Sequence, residues 1–251
     1  MNQLIDFFLE PYQSATSLNI ALEFIAAFFG VLSVFYAKKE NILVFPTGII
    51  STGIYVYLLS QWNLYGDLII NIYYTIMSLY GWYLWSRINP SLILTKGKET
   101  RTGNKLSEEH ISISRTTKKD KFKAFGIFLF TSIFVIVVYR FYNVMPNNLN
   151  FSESINDAIT KLSSGNLAEF RKGTPYLDTF TTGIFFAAMW LMANKKLENW
   201  TLWIAGNIVS IPLYFVKGYG FTGIQYSIFL ILAIFGYIAW KKNLDNKKQT
   251  L

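Results

Sequence analysis

Two tryptophans, an asparagine, a serine and a tyrosine punctuate an otherwise apolar stretch, N-W-T-L-W-I-A-G-N-I-V-S-I-P-L-Y, from Asn199 to Tyr214. At about 100° per residue, Trp200, Trp203, Asn207, Ser210 and Tyr214 fall on one narrow stripe of a helix. Indole faces stack on flat molecules, and a cationic ring gains a further ~0.5–2 kcal/mol from them. An asparagine beside them offers donor and acceptor together, as a carboxamide or ribose hydroxyls require. The stripe therefore has the chemistry of binding. Asn71, Tyr74 and Ser78 share a second face of the same kind. Catalytic signatures are missing: there is no HExxH, GxSxG, Walker or GxGxxG motif, no cysteine, and a solitary His110 between apolar runs. We expect no catalytic residue, no metal site and no cofactor.

The elements that must position these residues are membrane helices. Of 251 residues, 52% are hydrophobic, and they are gathered into long runs rather than dispersed. At about 20 apolar residues per crossing, the sequence predicts spans near 20–37, 41–59, 66–86, 122–142, 179–194, 199–216 and 221–240. The net charge of +8 does not indicate nucleic acid, because the lysines and arginines lie between the apolar runs. They crowd the stretch from Arg87 to Lys121 and recur at Lys38, Lys39, Lys195, Lys196, Lys241 and Lys242. By the positive-inside rule that side is the cytoplasm, with the N-terminus outside and the C-terminus inside. The residues before the first span lack the basic segment of a cleavable signal peptide, so the first run reads as a retained span.

Setting Lys38 against Lys196 also pairs Glu40 with Glu198, Asn41 with Asn199 and Gly48 with Gly206; after a small gap, Gly81–Arg87 pairs with Gly236–Lys242. The expected fold is all-α and integral to the membrane, with seven transmembrane helices as two parallel triple-helix bundles joined by a connector helix, a 3+1+3, SWEET-like plan. Its parts are an extracellular N-terminus (1–19), a first triple-helix repeat (20–86), a cytoplasmic linker (87–121), a connector helix (122–142), an outer amphipathic segment (143–178), a second triple-helix repeat (179–242) and a cytoplasmic tail (243–251). In this alignment the positions equivalent to the stripe are Ile42, Phe45, Ile49, Thr52 and Val56 of the first half. The aromatic, polar face is thus confined to one half, as a binding site would require. Ser51, Thr52 and Ser78 read as hydrogen-bonding glue between helices. Pro46 and Pro212 read as bending points within their helices.

The acidic residues Glu23, Asp67 and Asp178 come at the outer ends of spans, where they complement helix dipoles; a carboxylate ring drawing cations to an outer vestibule is the second reading. No ionisable residue is left near the bilayer midplane, where proton or sodium coupling places one. This predicts a facilitator.

The segment A-N-K-K-L-E-N-W-T-L-W-I-A-G-N, the Y-G-D-x-x-x-N-x-Y-Y run from Tyr65 to Tyr74, and the G-W-Y-L-W-S-R and G-Y-I-A-W-K-K ends resemble the PnuC family of bacterial transporters for nicotinamide riboside, a form of vitamin B3. The likeness covers roughly 20–86 and 176–242. It implies facilitated diffusion of the riboside across the bacterial inner membrane, trapping by a separate cytoplasmic kinase, and a homotrimer in the lipid bilayer. By motif it implies that Trp203 and Asn207 contact substrate, with Asn71, Tyr74 and Gln225 on facing helices and Trp200 and Tyr214 completing the stripe. Family members often carry glutamine before the tryptophan of span five, where this chain has Met189 before Trp190. The rivals are a SWEET-type facilitator of a sugar or another nucleoside on the same scaffold and, from another class, a membrane enzyme or receptor.

Overall fold

The computed structural model describes residues 16–61, 65–87 and 111–249. The readings for residues 1–15, 88–110 and 250–251, His110 among them, lie outside the described residues. Eight helices are present among these: α1 Ser17–Lys38, α2 Val44–Gln61, α3 Tyr65–Ser86, α4 Lys118–Phe141, α5 Phe151–Ser163, α6 Leu167–Ala193, α7 Asn199–Lys217 and α8 Gly220–Gln249.

Local chemistry sets their ends. Thr117 and Asp120 form a capping box at α4, and Asn150 and Glu153 form another at α5. Gly218, at φ 89°, breaks the chain between α7 and α8 in the left-handed region that glycine tolerates. Pro46 lies in the first turn of α2 and is no mid-helix bend, because its missing N–H is one that a helix start leaves unpaired anyway. Within α6, Pro175 removes an N–H that the Arg171 carbonyl would have accepted, and the Thr174 hydroxyl donates to that carbonyl instead, at 2.8 Å. The helix therefore starts twelve residues before the expected 179.

The seven-helix, 3+1+3 SWEET-like reading is corrected by this architecture. Eight helices are described, and three of them, α1, α4 and α8 (to Asn246), are long and apolar enough to cross a membrane by length and hydropathy. The physical reason lies in α2, α3, α6 and α7, whose serines, threonines, tyrosines and amides turn toward the interior and lower their mean hydropathy. Helices α1, α2, α3, α6, α7 and α8 pack in that order around a closed ring, α8 returning to α1. Helices α4 and α5 pack against α6 from outside it. The outer faces are apolar: Phe28, Ile76, Phe130, Ile133, Val137 and Ile238 are each more than half exposed, as lipid contact requires and water would penalise.

The amphipathic helix expected over Phe151, Ile155, Ile159 and Leu162 is α5. Phe151, Ile155 and Ile159 are exposed, while Leu162 lies against Gly173 of α6. The Asp157 carboxylate ties it to α6, accepting from the Tyr176 hydroxyl and from Lys161, both at 2.7 Å. Burial alone would raise the Asp157 carboxyl, but these two donors hold it below the usual range. The end of the linker is pinned too: Ser114 exchanges backbone hydrogen bonds with Lys195 and Leu197, and Glu198 accepts from the Thr116 N–H at 2.8 Å.

One end of the ring is sealed by indoles. Trp85 of α3 donates to the Ala193 carbonyl that ends α6, and Trp240 of α8 donates to the Ala37 carbonyl near the end of α1, each at 3.0 Å. Beside them, Lys195 pairs with Glu40 at 2.7 Å and lies 4.3 Å over the Trp85 ring. Glu40 and Lys195 both adopt positive φ, 55° and 48°, a conformation that costs about 1–2 kcal/mol in a side-chain-bearing residue. Their mutual ion pair offsets part of that cost.

These features recur at one spacing. Gly81 and Gly236, Trp85 and Trp240, Phe45 and Trp200, and Glu40 and Lys195 are each 155 positions apart. Phe45 occupies the space that a side chain on Gly81 would fill, and Trp200 does the same at Gly236. The bonds from Asn41 N–H to the Tyr36 carbonyl and from Phe45 N–H to the Ile42 carbonyl repeat at Lys196 to Leu191 and Trp200 to Leu197. The alignment made on Lys38, Glu40, Asn41 and Gly48 was therefore out of register by three residues. Similar letters in the two loops obscured loops of equal length. Replacing Trp240 by phenylalanine removes the indole donor and leaves the Ala37 carbonyl with the Glu40 N–H alone, at 3.0 Å, and is expected to lower stability by about 0.5–1.5 kcal/mol. A thermal unfolding midpoint equal to that of the unsubstituted protein would show the bond to be dispensable.

Candidate functional site

Inside the ring lies a cavity of about 750 Å³, within the size range of small-molecule sites. It reaches Asn19, Gln61 and Gly220 at one set of helix ends and Ala37, Trp200 and Ala233 at the other. Trp200 is 2% exposed and meets Trp240 edge-on at 5.5 Å, so it belongs to the floor. All seven residues singled out in the sequence, Asn71, Tyr74, Trp200, Trp203, Asn207, Tyr214 and Gln225, line this one cavity.

Its two walls are unequal. The true register sets Gly30, Gly48, Ser51 and Thr52 of α1 and α2 against Phe185, Trp203, Gly206 and Asn207 of α6 and α7. In the first set a side chain on Gly30 would come within 3.0 Å of the Ser51 hydroxyl; in the second, Gly206 is the small partner and the Phe185 ring fills the space above it. The exchange of small for large lets Phe185 lie nearly parallel to Trp203, with centroids 5.3 Å apart and planes 25° apart. Tyr226 stacks on Phe185 and Tyr214 on Tyr226, at 5.9 and 4.9 Å. One wall is thus a continuous aromatic ladder.

The opposite wall is short and hydroxylated. Ser51 donates to the Ala26 carbonyl at 2.7 Å, Ser33 to the Val44 carbonyl at 2.7 Å, and Thr52 meets Thr75 at 2.7 Å. The glue reading of Ser51 and Thr52 agrees with these bonds, yet both residues also line the cavity and keep lone pairs to offer. The Tyr55 hydroxyl donates to Gln225 at 3.5 Å, and the Asn71 amide is occupied at the Asp67 carbonyl at 2.9 Å.

Asn207 differs from Asn71. It is 2% exposed and lines the cavity, while Ser210 Oγ and Trp200 Nε1 on the same stripe are buried with no hydrogen-bond partner among the described residues. A buried polar group left unpaired costs about 1–3 kcal/mol; of these two, Trp200 borders the floor and Ser210 lies behind the lining, so the polar group this helix presents to the cavity at mid-depth is the Asn207 amide. Phe185, Tyr226 and Tyr55 were missed in the sequence. Only the spacing of 155, which places Phe185 opposite Gly30, pointed to the first of them. Met189 lines the cavity with a thioether.

A ring of membrane helices closed at one end around an amphiphilic cavity defines a small-molecule transporter. The family model described as "Nicotinamide mononucleotide transporter" matches residues 20–242, and the chain belongs to that family. Among curated relatives, the chain is 22% identical over 219 residues to the nicotinamide riboside transporter PnuC of Escherichia coli, covering 87% of this chain and 84% of the relative. It is 23% identical over 225 residues to the protein of the same name from Neisseria mucosa, covering 87% and 71%. A structure described as that of the vitamin B3 transporter PnuC superimposes with a TM-score of 0.58 at 20% identity, covering 97% of this chain and 90% of the other. The fold is thus the PnuC fold. Family membership makes the protein a multi-pass membrane transporter, not an enzyme.

The ladder depends on Gly206. Gly206→Ala drives a methyl group into the Phe185 ring and is expected to destabilise the protein by about 1–3 kcal/mol. Gly53→Ala, in open space on an exposed helical position, is expected to stabilise by up to about 1 kcal/mol. Equal unfolding midpoints for the two variants would contradict the packing described.

Proposed function

We propose that this protein carries nicotinamide riboside across the bacterial inner membrane by facilitated diffusion. The observation that carries the reading is the Asn207 amide in the cavity lining, buried beside the Trp203–Phe185 ladder. A flat pyridinium gains cation–π attraction from that ladder, its carboxamide matches the donor and acceptor of Asn207, and its ribose suits the hydroxyl wall. Trp203 and Asn207 take the principal contacts; Tyr74, Tyr214 and Gln225 border them, Asn71 is engaged with its own helix, and Trp200 closes the floor.

The basic residues at the floor end support a cytoplasmic floor, an outer cavity mouth, an external N-terminus and a cytoplasmic C-terminus. Delivery to the cytoplasm then requires the Trp85 and Trp240 bonds and the Lys195–Glu40 pair to part. The acidic residues that line the cavity, Glu23, Asp67 and Asp178, sit at its mouth and leave none at mid-depth for ion coupling. A homotrimer, and trapping of the product by a nicotinamide riboside kinase, follow from the family resemblance and belong to the same proposal.

Calorimetric titration of the purified protein is expected to give tight binding of nicotinamide riboside and none of glucose or free nicotinamide. Tight glucose binding would favour the sugar facilitator. Asn207→Leu is expected to keep the fold and lose at least tenfold in affinity, the order of one hydrogen bond to a cationic ligand's polar group. In proteoliposomes neither a proton nor a sodium gradient should raise the steady-state level above equilibration, and concentrative uptake driven by either would refute facilitated diffusion.

A further inference from the structure

The family model carries the name of a phosphorylated nucleotide, the curated relatives that of its dephosphorylated riboside. The two differ by a phosphomonoester of one to two negative charges on a scaffold with the same cationic ring. The cavity has the means to tell them apart by charge. Three carboxylates, Glu23, Asp67 and Asp178, line it, and among the described residues no lysine, arginine or histidine does. Lys217 is a nearby cation, committed to Asp178 in an ion pair of 2.5 Å, and Arg171 beside it donates to the Val216 carbonyl at 3.0 Å. Phosphate sites are built from arginine, lysine or free helix N-termini. Among the described residues no arginine or lysine lines this cavity; the first turn of α8, Gly220 to Thr222, borders its mouth at the same end as the three carboxylates, and the Asn207 amide and the aromatic ladder lie further in.

We infer that Asp67, with Glu23 and the Lys217-paired Asp178, is a specificity-determining group that admits a cationic nucleoside and rejects its 5′-phosphate by like-charge repulsion at the mouth of the cavity. This rests on the proposed riboside reading of the same site. Two unit charges several ångströms apart in a partly buried setting interact strongly enough to change affinity about tenfold. The excess of carboxylates over cations favours the pyridinium and opposes a phosphate in the same place. The Asp178–Lys217 pair sharpens the point: Asp178→Asn would release a lysine toward the mouth and reverse the local balance.

The test is calorimetry on the full chain in lipid nanodiscs with three ligands: nicotinamide riboside, nicotinamide mononucleotide, and 1,4-dihydronicotinamide riboside, which keeps the shape and loses the ring charge. The unsubstituted protein is expected to prefer the riboside to the mononucleotide at least a hundredfold. Asp67→Asn is expected to weaken the riboside about tenfold while leaving the neutral dihydro form within twofold; Glu23→Gln provides the same comparison if Asp67→Asn fails to fold. Asp178→Asn is expected to gain mononucleotide binding. Equal loss of the charged and neutral ribosides in these variants would make the carboxylates structural and overturn the inference, as would unchanged rejection of the mononucleotide in Asp178→Asn. Absence of riboside binding by the unsubstituted protein would instead overturn the functional reading beneath it.

Discussion

An indole N–H shut away from water gains by finding an acceptor, and Trp85 and Trp240 find theirs on helix ends across the ring. Those two bonds fix the relation of α3 to α6 and of α8 to α1, which are the contacts that close the ring. Everything above them follows. Trp240 holds Trp200 edge-on, Trp200 fills the notch at Gly236, and α7 is thereby set in the rotation that turns Asn207 and Trp203 inward. The strained Glu40 and Lys195 backbones sit in the same layer, so the floor combines stored strain with the bonds that restrain it. A closed end that is held by a few separable interactions is what a transporter needs and a rigid core does not.

Recurrence at 155 residues explains why the site is one-sided without being improvised. The scaffold positions, Gly81 with Gly236 and Trp85 with Trp240, keep their type because they make the same contacts twice. The cavity positions do not. Gly30 and Ser51 on one side become Phe185 and Gly206 on the other, which transfers bulk from one helix of the pair to its neighbour and builds a stacking surface without enlarging the ring. Volume that aromatic side chains occupy on one wall is returned as space beside glycine and serine on the other. The cavity is accordingly amphiphilic across its width, with hydroxyls facing an aromatic ladder.

Much of this was legible in the sequence. The stripe from Trp200 to Tyr214 is a local property of one helix, and helical periodicity alone places it on one face; the structure adds that Trp200, Trp203, Asn207 and Tyr214 line a cavity, with Ser210 buried behind it. The amphipathic character of α5 was local in the same way. What the sequence could not convey depends on contacts between distant segments. The register of the two halves was misjudged because Lys-Lys and Glu-Asn recur in both loops at slightly different places, and only backbone hydrogen bonds reveal equal loop lengths. Helix α6 was cut short because Pro175 and the charges before it resemble a helix end, whereas Thr174 supplies the missing donor. The seven-span count failed because an apolar run holds both lipid-facing and cavity-facing residues, and that distinction is tertiary. Phe185 and Tyr226 escaped notice for the same reason, since an aromatic in a membrane run carries no sign of which way it faces.

The most direct test of the central claim is an experimental structure of the protein with nicotinamide riboside bound. The account requires the pyridinium ring against Trp203 and Phe185, its carboxamide within hydrogen-bonding distance of Asn207, and its ribose toward Ser51 and Thr52, with the Trp85 and Trp240 bonds intact beneath it. Ligand density outside the ring of helices, or within the cavity but away from Asn207 and the aromatic ladder, would contradict it.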